Sequence, residues 1–260
     1  MAGILVVAEH HQGALRDMTG EMVGAALAVK EGLGGPLTVA LIGDGDAGLA
    51  KQANLKGVDE VLNVDVGSAH FDAGVYEEVT CRLGAERQPR LVLVGHTVSG
   101  MAYAAAVAAR LGSGFASDVF ALDTEDGEPI VTRSAYGNKV NLELGFPGKG
   151  VVVLGLRGAT FAPPEGGGSA SLTTLRMDLS NLAGASRHLE YQEAPPSDID
   201  ISKAEFILSV GRGIRDKDNL PRFAALAERM GATFGCSRPI VDSGWLPKPH
   251  QVGQSGKVAS

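Results

Sequence analysis

The chain has 260 residues, enough for one large or two medium domains, and 44% of them are hydrophobic, the content of a folded protein with true cores. Its net charge of -7 argues against nucleic acid, whose binders depend on a clustered basic surface. The two cysteines, Cys81 and Cys236, are too far apart for a CxxC motif, a zinc ribbon or an iron–sulfur run, and no apolar run approaches a membrane span.

The N-terminus runs straight into Gly3-Ile4-Leu5-Val6-Val7-Ala8 with no basic region ahead of it, which reads as a strand and not as a signal peptide. A cytoplasmic protein without membrane insertion, its thiols reduced, is the expectation. Strands are predicted at Ile4–Ala8, Leu37–Ile42, Glu60–Val64, Arg90–Val94 and Gly150–Leu156. Helix-compatible segments at Asp17–Glu31, Gly48–Leu55, Val75–Gln88 and Ser99–Leu111 lie between them. Alternation of short apolar strands with helices indicates a mostly parallel sheet covered on both faces. Asp118–Leu144 breaks the rhythm: Asp123-Thr124-Glu125-Asp126-Gly127 is a turn, and Ile130–Leu144 reads as one or two antiparallel strands, a hairpin appended to the first sheet.

Ala162–Ser169 is a Pro- and Gly-rich loop, and Ala194-Pro195-Pro196-Ser197 is the better domain linker. The strand–helix pattern then restarts, with a strand at Phe206–Val210, a turn at Gly211-Arg212-Gly213, a helix at Leu220–Met230 and a strand at Thr233–Cys236. The expected organisation is an α/β, Rossmann-like first domain over residues 1–190, a linker over 191–200, and the beginning of a second α/β domain over 201–260. Two or three strands with one helix bury little apolar surface, so the second domain reads as incomplete.

Gly43-Asp44-Gly45-Asp46-Ala47-Gly48 matches G-x-G-x-x-G, follows a strand, precedes a helix and has Asp65 closing the next strand. On that pattern alone an NAD-binding oxidoreductase is the alternative. Two carboxylates beside a pyrophosphate repel it, and the motif follows the second strand instead of the first, so a solvent-facing turn is the preferred reading. His10 and His11 have no carboxylate or cysteine cluster with them, and a surface loop suits them better than a metal site. In His96-Thr97-Val98-Ser99-Gly100 there is no G-x-S-x-G, and Thr97 or Ser99 is expected to cap the next helix.

The last fifty or so residues carry more chemistry. Arg212 sits on a glycine-flanked turn at a strand's carboxyl end, Ser237 and Arg238 stand at another strand end, and Val241-Asp242-Ser243-Gly244 opens a loop holding the only Trp, Trp245. Gln251-Val252-Gly253-Gln254-Ser255-Gly256-Lys257 is rich in amides and hydroxyls, with glycines that admit close backbone approach. Such groups hold and tune a planar ring with polar edges and are poorly suited to acid–base work.

In this order the motifs resemble the signature of the electron-transfer flavoprotein α subunit. That family shows a Gly-Arg-Gly after a strand, a Ser-Arg pair, a Val-Asp-x-Gly loop and Gln-Val-Gly-Gln-Thr-Gly-Lys, with Ser255 here in place of the Thr. Leu5–Glu9, Asp118-Val119, Arg133–Asn138 and Arg157-Gly158-Ala159-Thr160-Phe161 resemble its N-terminal domain in order and spacing, so the resemblance spans the chain. The resemblance implies FAD held by Arg212, Ser237, Arg238, Gln251, Val252, Gly253, Gln254, Ser255 and Gly256. It implies Arg238 as the cation near the ring and Ser255 as a hydrogen-bond donor to it. It further implies a heterodimer whose β subunit carries AMP and packs on residues 1–190. Electrons would pass from acyl-CoA or other dehydrogenases, as in fatty acid β-oxidation, to a membrane quinone oxidoreductase, with no substrate transformed by the chain itself. Nitrogen-fixation and electron-bifurcating relatives share these motifs. The family's domain continues beyond the position of Ser260 with a Gly-Ile-Ser-Gly-type turn, a His and an Asn-Lys-Asp segment. A truncated α subunit is therefore the expectation, and a scaffold that pairs with β without holding FAD is a further alternative.

Overall fold

A computed structural model describes residues 3–179, 182, 188–191, 201 and 204–253. The chain divides into two compact units, Met1–His188 and Leu189–Ser260.

The first unit is built on a nine-stranded sheet. Its strands are β1 (Ile4–Val7), β4 (Leu37–Gly43), β5 (Glu60–Asp65), β6 (Leu91–Gly95), β7 (Gly114–Glu125), β8 (Glu128–Ala135), β9 (Val140–Gly145), β10 (Val152–Leu156) and β11 (Ser171–Arg176), and a two-residue ladder joins β2 (His10–His11) to β3 (Ala14–Leu15) outside it. The order across the sheet is β11-β5-β4-β1-β6-β10-β7-β8-β9. Pairing is parallel from β11 to β7 and antiparallel through β7, β8 and β9.

Alternate residues of the central strands feed opposite cores, as the two-residue period of a strand requires. Ile4 and Val6 join the core under α1 (Asp17–Leu33) and α2 (Ala47–Gln52). Leu5 and Val7 join the core under α3 (Ala73–Arg87) and α5 (Ala104–Leu111). β1, β4, β6 and β10 are buried along their whole length, which is why they read as unbroken apolar runs. α1 packs closely under a crossing loop: a Cβ at Gly24 would lie 1.9 Å from the Ala162 carbonyl oxygen, so only glycine fits there.

The sheet departs from the sequence expectation in several particulars. β11 has no apolar alternation and is almost wholly exposed; it forms at the edge because its backbone pairs with β5 from Ser171↔Glu60 to Arg176↔Asp65. The expected helix Ser99–Leu111 is two helices, α4 (Val98–Met101) and α5, with Tyr103 between them buried on the sheet. The appended hairpin is a meander of three strands, and β7 starts at Gly114, before the expected break, because β10 inserts between β6 and β7 and pairs with its first half. His10 and His11 form half of a small ladder where a loop was expected.

In the second unit β12 (Ile207–Val210) and β13 (Thr233–Cys236) pair in parallel, joined through α6 (Leu220–Met230). Leu220, Phe223 and Ala227 put one helix face onto Val210, Ile214, Cys236 and Ile240. α7 (Arg238–Asp242) follows β13, and Gln251 bridges in parallel to Cys236. The expected linker 191–200 lies, apart from Tyr191, outside the described residues.

Candidate functional site

Ligands in open parallel sheets bind beyond the carboxyl ends of the strands, most often where the chain reverses its direction of travel across the sheet. In the first unit that point lies between β1 and β6. It is bridged by the protein's own side chains. Thr97 donates its hydroxyl to Glu9 Oε1 at 2.6 Å, and the Gly100 N–H donates to the same Thr97 oxygen at 3.0 Å, capping α4. Thr19 exchanges hydrogen bonds with the Glu9 backbone at 2.8 and 3.0 Å. Glu9 is buried, and burial pushes its carboxyl above the ordinary value, against the Thr97 hydrogen bond and the charge of Arg16, which lower it. A buried acid here disfavours a phosphate.

The G-x-G-x-x-G turn is equally self-sufficient. Gly45 has φ +81°, and Asp46 accepts from the Gly48 N–H at 2.7 Å, so a carboxylate of the chain occupies the helix start where a phosphate would sit. Asp65 accepts from the Gly67 N–H at 2.9 Å and acts as a turn residue. Among the described residues no group of three or more His, Cys, Asp or Glu is placed to hold a metal ion.

The strand ends of the second unit are different. Arg212 follows β12 and is exposed; Ser237 and Arg238 follow β13. The register Val210↔Cys236 and the hydrogen bond from the Ser237 N–H to the Val210 carbonyl at 2.9 Å set these two turns side by side. A Cβ on Gly211 would lie 3.3 Å from Ser237 Oγ. Gln251 is buried beside Cys236, and the Val252 N–H donates to the Cys236 carbonyl at 2.9 Å, which brings Gln251, Val252 and Gly253 to the same end of the sheet. Of the nine expected cofactor residues, six are thus gathered at one edge. Gln254, Ser255 and Gly256 lie outside the described residues.

The Arg212 carbonyl accepts from the Arg215 N–H at 3.0 Å, but its guanidinium has no hydrogen bond or ion pair among the described residues, whereas Arg238 Nε lies 3.4 Å from Asp242 Oδ2 on the same short helix. His250 was not singled out by its sequence; its Nδ1 lies 2.8 Å from the Phe234 carbonyl, tying the approach to Gln251 onto β13. Two exposed guanidinium groups, a hydroxyl, a buried amide and open backbone fit a ligand with phosphates and a polar-edged ring. The donor set therefore suits a dinucleotide flavin at the strand ends of the second unit.

A donor set of this kind is the one a flavin-type redox protein uses. Residues 4–180 match the family model of the electron transfer flavoprotein domain, and residues 200–260 match that of the electron transfer flavoprotein FAD-binding domain. The chain belongs to the electron transfer flavoprotein α-subunit family. It is 41% identical over 259 residues to the electron transfer flavoprotein subunit alpha of Methylophilus methylotrophus, covering 99% of this chain and 80% of that one. It is 32% identical to Protein FixB of Clostridium saccharobutylicum, covering 98% and 78%. It is 29% identical to the lactate dehydrogenase (NAD(+),ferredoxin) subunit LctC of Acetobacterium woodii, covering 98% of this chain and 62% of that one. Membership implies a flavin and a role in electron transport. Among the described residues no helix is long and apolar enough to cross a membrane.

Proposed function

We propose that this chain holds FAD at the strand ends of its second unit and, paired with a β subunit, carries electrons from dehydrogenases to a membrane quinone oxidoreductase. The observation that supports this most is the gathering of Arg212, Ser237, Arg238 and Gln251 at the carboxyl ends of adjacent parallel strands, within the residues that match the FAD-binding family model. When bound, FAD supplies reversible electron acceptance. The protein's part is to bind, orient and bias. Arg212, free of any carboxylate among the described residues, faces phosphate. Arg238 lies by the ring, where a fixed cation favours added negative charge most strongly once water is excluded. Ser237, Gln251, Val252 and Gly253 position the cofactor, and Gln254, Ser255 and Gly256, next in sequence, would complete the set, with the Ser255 hydroxyl as donor to the ring edge.

In this reading residues 1–190 are scaffold packing on the β subunit, which carries AMP. The chain is a cytoplasmic carrier with no substrate of its own. Acyl-CoA dehydrogenases are the proposed donors; the likeness to LctC favours, as a second reading, a chain built into a dehydrogenase complex. Co-purification with an electron transfer flavoprotein β subunit tests the proposal. Stoichiometric FAD that a reduced acyl-CoA dehydrogenase bleaches is the expected result. A colourless complex, or a flavin that no reduced dehydrogenase bleaches, would overturn it.

A further inference from the structure

The two arginines at the strand ends differ in one respect: Arg212 has no carboxylate partner among the described residues, and Arg238 has Asp242. α7 starts at Arg238 and ends at Asp242, so the two side chains stand one helical turn apart, and Nε lies 3.4 Å from Oδ2. The closest approach is at Nε, and the guanidinium makes no hydrogen bond among the described residues, so the pair is held by charge alone. No other ion pair is made by either residue among those described. Pro239 sits in the first turn of α7, and Ile240 is fully buried in the unit's core, so the helix that spaces the pair is anchored from below.

At 64% and 62% exposure the pair contributes little to stability, since water screens it. Its consequence changes if a ligand covers the strand ends. A covering ring system removes water from the guanidinium, and the same carboxylate then acts through a lower dielectric. An anion one turn from the cation cancels part of the cation's potential at the ring. Arg212, without such a partner, keeps its full charge for a phosphate.

We propose that Asp242 is the counter-ion that sets how much of the Arg238 charge reaches the flavin. It is a positioning and tuning residue and lowers the flavin's reduction potential below the value Arg238 alone gives. This inference rests on the FAD reading of the site given above. Asp242→Asn keeps the side chain's shape and removes the charge, so it raises the potential. Asp242→Ala removes both and raises it too.

The experiment uses the FAD-loaded complex with the β subunit, with midpoint potentials measured spectroelectrochemically at low and high salt for wild type, Asp242→Asn, Asp242→Ala and Arg238→Ala. FAD content and thermal unfolding serve as controls. The expected result is a lower potential for Arg238→Ala and a higher one for Asp242→Asn, by about threefold or more in the equilibrium constant for reduction, with FAD content unchanged. If Arg238→Ala lowers the potential and both Asp242 variants match wild type or fall below it, the counter-ion role is wrong and the FAD reading stands. If Arg238→Ala leaves the potential unchanged, the placement of Arg238 by the ring is wrong, and the role of Asp242 falls with it.

Discussion

Thr97 and Glu9, 88 residues apart in sequence, meet at 2.6 Å where the strand order reverses. The hydroxyl that caps α4 is the same one that satisfies the buried carboxylate, so a helix start and a strand end are fixed by one side chain. A Cβ at Gly95 would come to 2.5 Å from Glu9 Oε1, which shows how closely the acid is enclosed.

The acid makes stability depend on pH with a defined sign. Burial raises the folded-state value of Glu9 above 4.5, so the folded protein holds the proton more tightly than the unfolded chain does. The contribution is complete below 4.5 and is lost as pH rises through the folded value. Glu9→Gln keeps an acceptor for Thr97 and removes the titration. At neutral pH it should be more stable than wild type, by about 1.4 kcal/mol for each unit by which the carboxyl is raised. Chemical denaturation from pH 4 to pH 8 measures it, and a wild-type and variant difference that does not change with pH would refute the assignment.

Asp118 and Arg157 form a second long-range pair, with Arg157 Nε and Nη2 donating to the two carboxylate oxygens at 2.8 and 2.7 Å. Asp118 lies at φ +60°, in the irregular stretch of β7 opposite β10, a conformation that Asn tolerates and Ala does not. Arg157 holds the Asp118 carboxyl below its ordinary value, so this contribution is present above 3.8 and is lost as pH falls. Asp118→Asn should cost about 1.5–3 kcal/mol for the charged hydrogen bonds, and Asp118→Ala about 1 kcal/mol more for the backbone. Equal losses in the two variants, read by urea denaturation, would show that the φ value carries no cost.

The two glycines that begin the G-x-G-x-x-G turn should separate. Gly45 is held at φ +81°, and Gly45→Ala should lose about 1 kcal/mol or more. Gly43 is not among the residues at positive φ, and a Cβ there meets only His10 at ordinary contact distance, 3.6 Å, so Gly43→Ala should be close to neutral. Neither should change FAD content in the complex with β. Loss of flavin from folded Gly45→Ala protein would restore the NAD-type reading of Gly43–Gly48.

The strands legible in the sequence are those buried on both faces. β1, β4, β6 and β10 announce themselves as apolar runs because both sides of each are core. β11 was not legible, since an exposed edge strand such as Ser171–Arg176 is held by backbone pairing and carries no apolar alternation. The break between α4 and α5 was hidden for a different reason: Tyr103 continues an acceptable helical pattern, and only its burial on the sheet marks the interruption. At the candidate site the signal in the sequence is the order of the motifs, since glycine, arginine and serine at strand ends each also serve as ordinary turn, surface and cap residues. The Arg238–Asp242 pairing was not drawn from the same segment, although its four-residue spacing signals such a pair once a helix is assigned.

The account rests on FAD binding at the carboxyl ends of β12 and β13, and the affinity of Arg212→Ala protein for FAD tests it most directly. Arg212 is exposed and its side chain makes no hydrogen bond among the described residues, and its one hydrogen bond, from the Arg215 N–H, is made by the backbone, so truncating the side chain should leave the fold intact. Titration of the FAD-depleted complex with the β subunit, followed by flavin fluorescence, should show affinity weakened about tenfold or more, the value of a lost hydrogen bond to a charged group. Wild-type affinity in Arg212→Ala, with the folded complex preserved, would contradict it.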